Sequence, residues 1–194
     1  MIQYDRDKMS EATARRLVAS EGSIDGTIIV KKDIPIFVME IGDPFNVVGM
    51  ISEYRKQNGS HYPSNVKAWR SSFLTHQETD MFDDVITFLV DTCDKKIAEH
   101  YGVFVKHQCI QMWVMEYEKG NWAAKHTHYP TDWSAVYYAG MDDQSAPVIV
   151  ENSIRINPKS GTLVLFPGIL DHKVPATASQ RKVLAMNLMK KDVG

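Results

Sequence analysis

Hydrophobic positions change their period part-way along the chain. Before Gly102 the stronger segments repeat at three- and four-residue intervals, the spacing of one helix face. Val47, Val48, Met50, Ile51 and Tyr54 predict a helix over residues 44–57, with Asp43 as its cap and Pro44 at its first helical position. A longer helix is expected from Thr79 to His100, with Phe82, Val85, Ile86, Leu89, Cys93 and Ile97 on one side and Gly102 placed to end it. A shorter helical candidate, Ser10–Ala19, is supported by Glu11 and Arg15 one turn apart. Thr27–Val30 and Ile34–Ile41 are rich in β-branched residues and read as early strands. Between the two longer helices, Asn58–Ser72 is turn-rich, and Tyr62–Trp69 is a candidate lid of the kind that irregular segments often form.

After Gly102 the period shortens. Val103–Val105, Cys109–Tyr117, Ser134–Ala139, Val148–Val150, Ile154–Ile156, Thr162–Phe166 and Arg181–Met189 are short apolar or alternating runs parted by turn clusters such as Glu118-Lys119-Gly120-Asn121. Many short strands at this spacing predict a β-sandwich or barrel. The pattern therefore predicts one domain over residues 1–194: a mostly helical support with early strands over 1–102, then a β-rich core over 103–194. No internal repeat, low-complexity tract or linker interrupts it.

Composition narrows the function. Of 194 residues, 44% are hydrophobic, enough for an ordinary core, and the formal net charge of −2 supplies no basic surface for nucleic acid. The two cysteines, Cys93 and Cys109, make neither a metal pattern nor a disulfide framework and read as buried thiols. The polar start, MIQYDRDKMS, does not read as a signal peptide, and no apolar run reaches the ~20 residues of a membrane span. The expectation is a soluble, cytoplasmic protein with no membrane or nucleic-acid partner.

Candidate chemistry lies among the seven histidines. His126 and His128 are one residue apart, so on a strand both imidazoles would project from one face. His172, just past the apolar run Leu163–Phe166 and the turn Pro167-Gly168, could complete a three-point site for a borderline divalent metal. His-x-His alone is a weak signal, common at strand edges; its surroundings strengthen it.

The segment Asn157-Pro-Lys-Ser-Gly-Thr-Leu-Val-Leu-Phe-Pro-Gly-Ile-Leu-Asp-His172, with Arg181 nine residues after the histidine, resembles the C-terminal part of the 2-oxoglutarate/Fe(II) oxygenase superfamily. His126-Thr-His128-Tyr-Pro-Thr-Asp-Trp-Ser-Ala-Val-Tyr-Tyr138 is similar to the proximal metal motif and following strand of its prolyl-hydroxylase-like members. The likeness is nearest to a His-x-His-Pro branch common in marine bacteria and their phages, and it covers about residues 109–189. It implies an α+β fold: a double-stranded β-helix, or jelly-roll, core with N-terminal helices packed on it. It also implies a dioxygenase using Fe(II), 2-oxoglutarate and O₂, with His126 and His172 as the two metal histidines. Arg181 would hold the distal carboxylate of 2-oxoglutarate, with Tyr138 beside it. By parity Asn187 shares Arg181's strand face and would line the pocket.

The chain leaves the family at the middle ligand, where a carboxylate is expected and His128 stands. An all-histidine site is the preferred reading; otherwise His128 orients substrate, or Asp132 folds back to supply the carboxylate. The resemblance implies a peptide or protein side chain, or a small metabolite, as the oxidised substrate, with the host cytoplasm as location if the chain is phage-encoded. An exposed edge strand leaves room for a homodimer. Two other readings of the same residues stay open: a cupin-like metalloprotein without a keto acid, and a silent metal- or oxoglutarate-binding module. Trp113, Trp122 and Trp133 are candidates to shape a cleft, whereas His61, His76, His100 and His107 read as structural or surface residues.

Overall fold

The computed structural model describes residues 33–192 except 60, 63 and 143, so the elements expected at Ser10–Ala19 and Thr27–Val30 lie outside the described residues. Residues Pro35–Gly194 form a compact unit. Its elements in chain order are β1 (Phe37–Glu40), α1 (Val47–Gln57), β2 (Val66–Lys67), β3 (Trp69–Arg70), α2 (Thr75–Glu78), α3 (Asp83–Tyr101), β4 (His107–Tyr117), β5 (Trp122–His126), β6 (Trp133–Met141), β7 (Val148–Val150), β8 (Ile154–Ile156), β9 (Thr162–Pro167), β10 (His172–Val174) and β11 (Arg181–Lys190).

The strands make two antiparallel sheets, a six-stranded one in the order β1-β9-β6-β11-β4-β3 and a five-stranded one in the order β2-β5-β10-β7-β8. Together they are a jelly-roll core, with helices packed on the outer face of the larger sheet. The sequence of the central strands shows why this arrangement forms. Along β11, Leu184, Met186 and Leu188 join Met112 and Val114 of β4 in one cluster with Val47, Ile51, Val85, Leu89 and Cys93 of the helices. The residues between them, Val183 and Ala185, join Trp113, Met115 and Tyr117 in a second cluster with Val148 and Val150 of the smaller sheet. A strand buried on both faces reads as a nearly continuous apolar run, as these do.

Several boundaries differ from the sequence expectation. The first helix starts at Val47, because Pro44 and Phe45 form a turn before it. Its cap is Asn46 in the left-handed region (φ 54°), while the Asp43 carboxylate accepts from the Val47 N–H at 2.9 Å. The second starts at Asp83, after the separate turn Thr75–Glu78, and ends at Gly102 with φ 70°, where glycine carries no side-chain penalty. Val103–Val105 is not a strand: the run has no ladder partner, and Val103 and Phe104 are exposed on the path from α3 to β4. β2 and β3 lie inside the segment expected to be irregular.

Cys93 is buried and Cys109 partly buried, both as free thiols; burial raises both pKa values, that of Cys109 to about 12. No helix among the described residues is long and apolar enough to cross a membrane.

Candidate metal centre

The smaller sheet positions two of the three histidines. β5 and β10 are hydrogen-bonded neighbours, and their register sets His126 directly opposite His172. Residues so paired on one face are the closest cross-strand neighbours, and here the two ring centres are 4.3 Å apart.

β5 ends at His126, so His128 does not share the strand face expected for it. A turn returns it to the site instead. The His128 N–H donates to the Gly168 carbonyl at 2.8 Å, and the Thr131 N–H and hydroxyl donate to the His128 carbonyl at 3.0 and 2.8 Å. This places the His128 ring centre 5.0 Å from those of both His126 and His172. A Cβ at Gly168 would lie 2.4 Å from the carbonyl and the hydroxyl oxygen of Thr131, so glycine is what lets the two loops close on each other.

One potential ligand nitrogen from each ring falls within 4.8 Å of the others. The Ala124 carbonyl, 2.7 Å from His126 Nδ1, accepts a hydrogen bond from Nδ1–H and so favours the tautomer whose Nε2 lone pair is free. Burial, then the neighbouring imidazoles, lowers the pKa of His128 to about 4 and that of His172 to about 3. Burial also lowers that of His126, against the opposing pull of the Ala124 carbonyl. All three rings are therefore neutral near pH 7, the form that binds metal. Among the described residues no carboxylate joins the cluster. Asp132 accepts from the Lys190 N–H at 2.6 Å, and Asp171 pairs with Lys125 at 2.7 Å.

The three rings face a cavity of about 520 Å³ between the sheets, which also takes in Arg181, Tyr138 and Asn187. Arg181, 3% exposed, lies 4.0 Å from the centre of the Tyr117 ring and donates to the Ala146 carbonyl at 3.1 Å, while its Nε–H has no partner. Tyr138 is buried 6.0 Å from the guanidinium, and desolvation, opposed by Arg181, raises its hydroxyl pKa to about 12. Asn187 lines the same face, donating to Gln111 at 2.7 Å and accepting from Ser134 at 3.0 Å.

Among the tryptophans, Trp113 borders the cavity, 5.7 Å from the His128 ring. Trp133 packs against Phe37, and Trp122 is exposed. His107 is buried against Asp94 at 2.6 Å; His61 and His100 are exposed, and His76 is half-buried. Ser64, Asn65 and Val66 of the candidate lid do border the cavity. Tyr117 and Arg70 are among the cavity residues that the sequence reading did not single out. Tyr117 faces Arg181 only through the β4–β11 register, and Arg70 reaches the cavity from a two-residue strand.

No protein-family model and no curated protein matches the chain. Solved structures do. The chain is similar to a Pseudomonas putida prolyl-4-hydroxylase, with TM-score 0.61 and 14% identity over 82% of this chain and 94% of that one. A Trichoplax adhaerens prolyl hydroxylase, solved with a peptide fragment of the hypoxia inducible factor oxygen degradation domain, gives 0.60 and 12% over 79% and 83%. The fold is that of the 2-oxoglutarate/Fe(II) oxygenases. This oxygenase fold also houses other outcomes: the alpha ketoglutarate dependent epimerase SnoN, from nogalamycin biosynthesis, gives 0.63 and 11% over 92% and 82%. The fold therefore fixes a framework, and the reaction has to be argued from the residues in the cavity.

Proposed function

We propose that the chain is a 2-oxoglutarate- and Fe(II)-dependent dioxygenase, with iron held by His126, His128 and His172 and 2-oxoglutarate held by Arg181 beside Tyr138. One observation carries the reading: three neutral imidazoles and a buried guanidinium with an unpartnered N–H border one cavity. The donor set fits the metal, because neutral nitrogen ligands suit a divalent iron and three of them leave positions for other ligands. When bound, the iron supplies the O₂ chemistry that no side chain here can, coupling decarboxylation of 2-oxoglutarate to succinate with oxidation of a C–H bond.

The chain's own residues have separate tasks. The Ala124 carbonyl holds the His126 ring in the tautomer that leaves Nε2 free. Arg181 offers a planar fork for a carboxylate, and the Tyr117 ring against it fixes the plane. Tyr138 stays protonated and can donate a hydrogen bond to the same carboxylate. Trp113, Val148 and Val183 make the walls around them apolar. The oxidised group belongs to a peptide or protein side chain or to a small metabolite.

The missing carboxylate favours one second reading, a cupin-like metalloprotein that uses three histidines and no keto acid. Anaerobic titration with Fe(II) and 2-oxoglutarate, followed by succinate measurement after O₂ is admitted, separates the two. The dioxygenase reading expects a weak visible charge-transfer band and succinate formation. Both should vanish in His172→Ala, and 2-oxoglutarate binding should weaken by about tenfold or more in Arg181→Ala, the scale of a lost charge-assisted pair. Oxidation of a substrate that proceeds unchanged in Arg181→Ala would favour the cupin-like reading. A charge-transfer band without succinate would mark a silent binding module.

A further inference from the structure

The proposed roles leave one charged group of the cavity wall unexplained. Arg70 lies on β3 at the edge of the larger sheet, opposite Met115 of β4. Its residue is 4% exposed and borders the same cavity as the histidines and Arg181. Among the described residues it meets no carboxylate; the acidic partners there go to Arg55, Lys56, Lys96, His107, Lys125 and Lys182. Nη1 donates to the Ser71 carbonyl at 3.0 Å, and Cζ sits 3.8 Å from the centre of the Phe73 ring. Nε–H has no partner. A guanidinium taken out of water without an anion is costly, and a group kept in that state in a cavity wall marks a functional site.

Charge points the same way. Among the described residues, the cavity wall contains Arg70 and Arg181 but no Asp, Glu or Lys. A divalent ion at the three neutral imidazoles and two guanidiniums bring four positive charges, against two negative charges on 2-oxoglutarate. The excess favours a second ligand that is an anion, and disfavours a cation.

Position does too. Arg181 is opposite Tyr117 and Arg70 opposite Met115, so the two guanidiniums flank β4 on opposite sides. A row of rings leads from Arg70 to the metal centre: Phe73 under the guanidinium, Trp113 at 4.9 Å from Phe73, and His128 at 5.7 Å from Trp113. A molecule lying along that row would have one end at Arg70 and the other at the histidines.

We infer that Arg70 binds a carboxylate of the molecule to be oxidised, and that this substrate is a small carboxylate-bearing compound, an amino acid or an organic acid. The anion site stands on the cavity alone; only the statement that its occupant is oxidised rests on the dioxygenase reading.

The test uses Ni(II)-loaded protein, thermal melts and calorimetry. The probes are free L-amino acids and short organic acids, each paired with its carboxamide, and 2-oxoglutarate is titrated separately. At least one acid is expected to bind and raise the melting temperature, while its amide does not. In Arg70→Gln that binding falls by about tenfold or more, and 2-oxoglutarate affinity stays within about twofold, as for independent sites. The proposal is overturned if no acid binds, if acids and amides act alike, or if Arg70→Gln weakens 2-oxoglutarate as much as Arg181→Gln does. Should the Gln variant fail to fold, Arg70→Lys carries the test. It keeps the charge without the planar fork, so several-fold weaker acid binding is expected, and unchanged binding counts against the proposal. Wild-type protein that binds the acid but not 2-oxoglutarate would sink the dioxygenase reading and leave the anion site standing.

Discussion

His128 is the residue at which the electrostatics of the centre are decided. An imidazole in place of a carboxylate raises the net charge at a bound divalent ion by one unit and should strengthen its hold on anions. If His128 is a direct ligand, His128→Ala should weaken Co(II) or Fe(II) binding by more than about 100-fold, beyond the 10–100-fold that outer partners typically give. A smaller loss would place His128 behind the ligands. His128→Asp should still bind the metal but hold 2-oxoglutarate more weakly than wild type, because the added negative charge opposes the keto acid. A gain in 2-oxoglutarate affinity would contradict this account. The residue types His126, His128, His172 and Arg181 were all legible in the sequence. What they surround was not, since Tyr117 and Arg70 become cavity residues only through the pairing of β4 with β11 and β3.

At the scale of elements, the site hangs on two short strands that carry almost no hydrophobic signal. β5 reads Trp-Ala-Ala-Lys-His and β10 His-Lys-Val, and neither was legible as a strand, because their stability comes from ladder partners far away in sequence. The central strands β4, β6, β9 and β11 were legible because both of their faces are buried and their apolar runs are long. The loops after β5 and β9 meet at Gly168, where a single added methyl group would strike Thr131. Gly168→Ala should therefore part the two loops, shift His128 from His172 and destabilise the fold by about 1–3 kcal/mol, the usual penalty for overpacking. Calorimetric metal titration together with thermal melting checks this. Wild-type metal affinity in Gly168→Ala would show that the loop contact does not position His128.

For the molecule as a whole, gathering three largely buried imidazoles beside one another makes the metal-free protein sensitive to acid. Unfolded, each histidine takes up a proton near pH 6.5, whereas in the fold His128 does so near 4 and His172 near 3. Between those values the unfolded chain binds more protons, so stability is intact above about 6.5 and is lost as pH falls towards 3. Urea midpoints of metal-free protein should drop between pH 7 and pH 5, and the drop should shrink in His172→Phe. An equal drop in the variant would assign the acid sensitivity elsewhere.

Taken alone, the sequence determined the helices-then-strands layout, the jelly-roll expectation and the candidate residues His126, His128, His172, Arg181 and Tyr138, which border one cavity. These are properties of local periodicity and of short motifs, which neighbouring residues carry by themselves. Tertiary structure decided that His128 reaches the site from a turn rather than a strand face, that Asp132 is committed to Lys190, and that Arg70 shares a cavity with Arg181. Each of these depends on strand register and on contacts between segments distant in sequence, which periodicity does not encode.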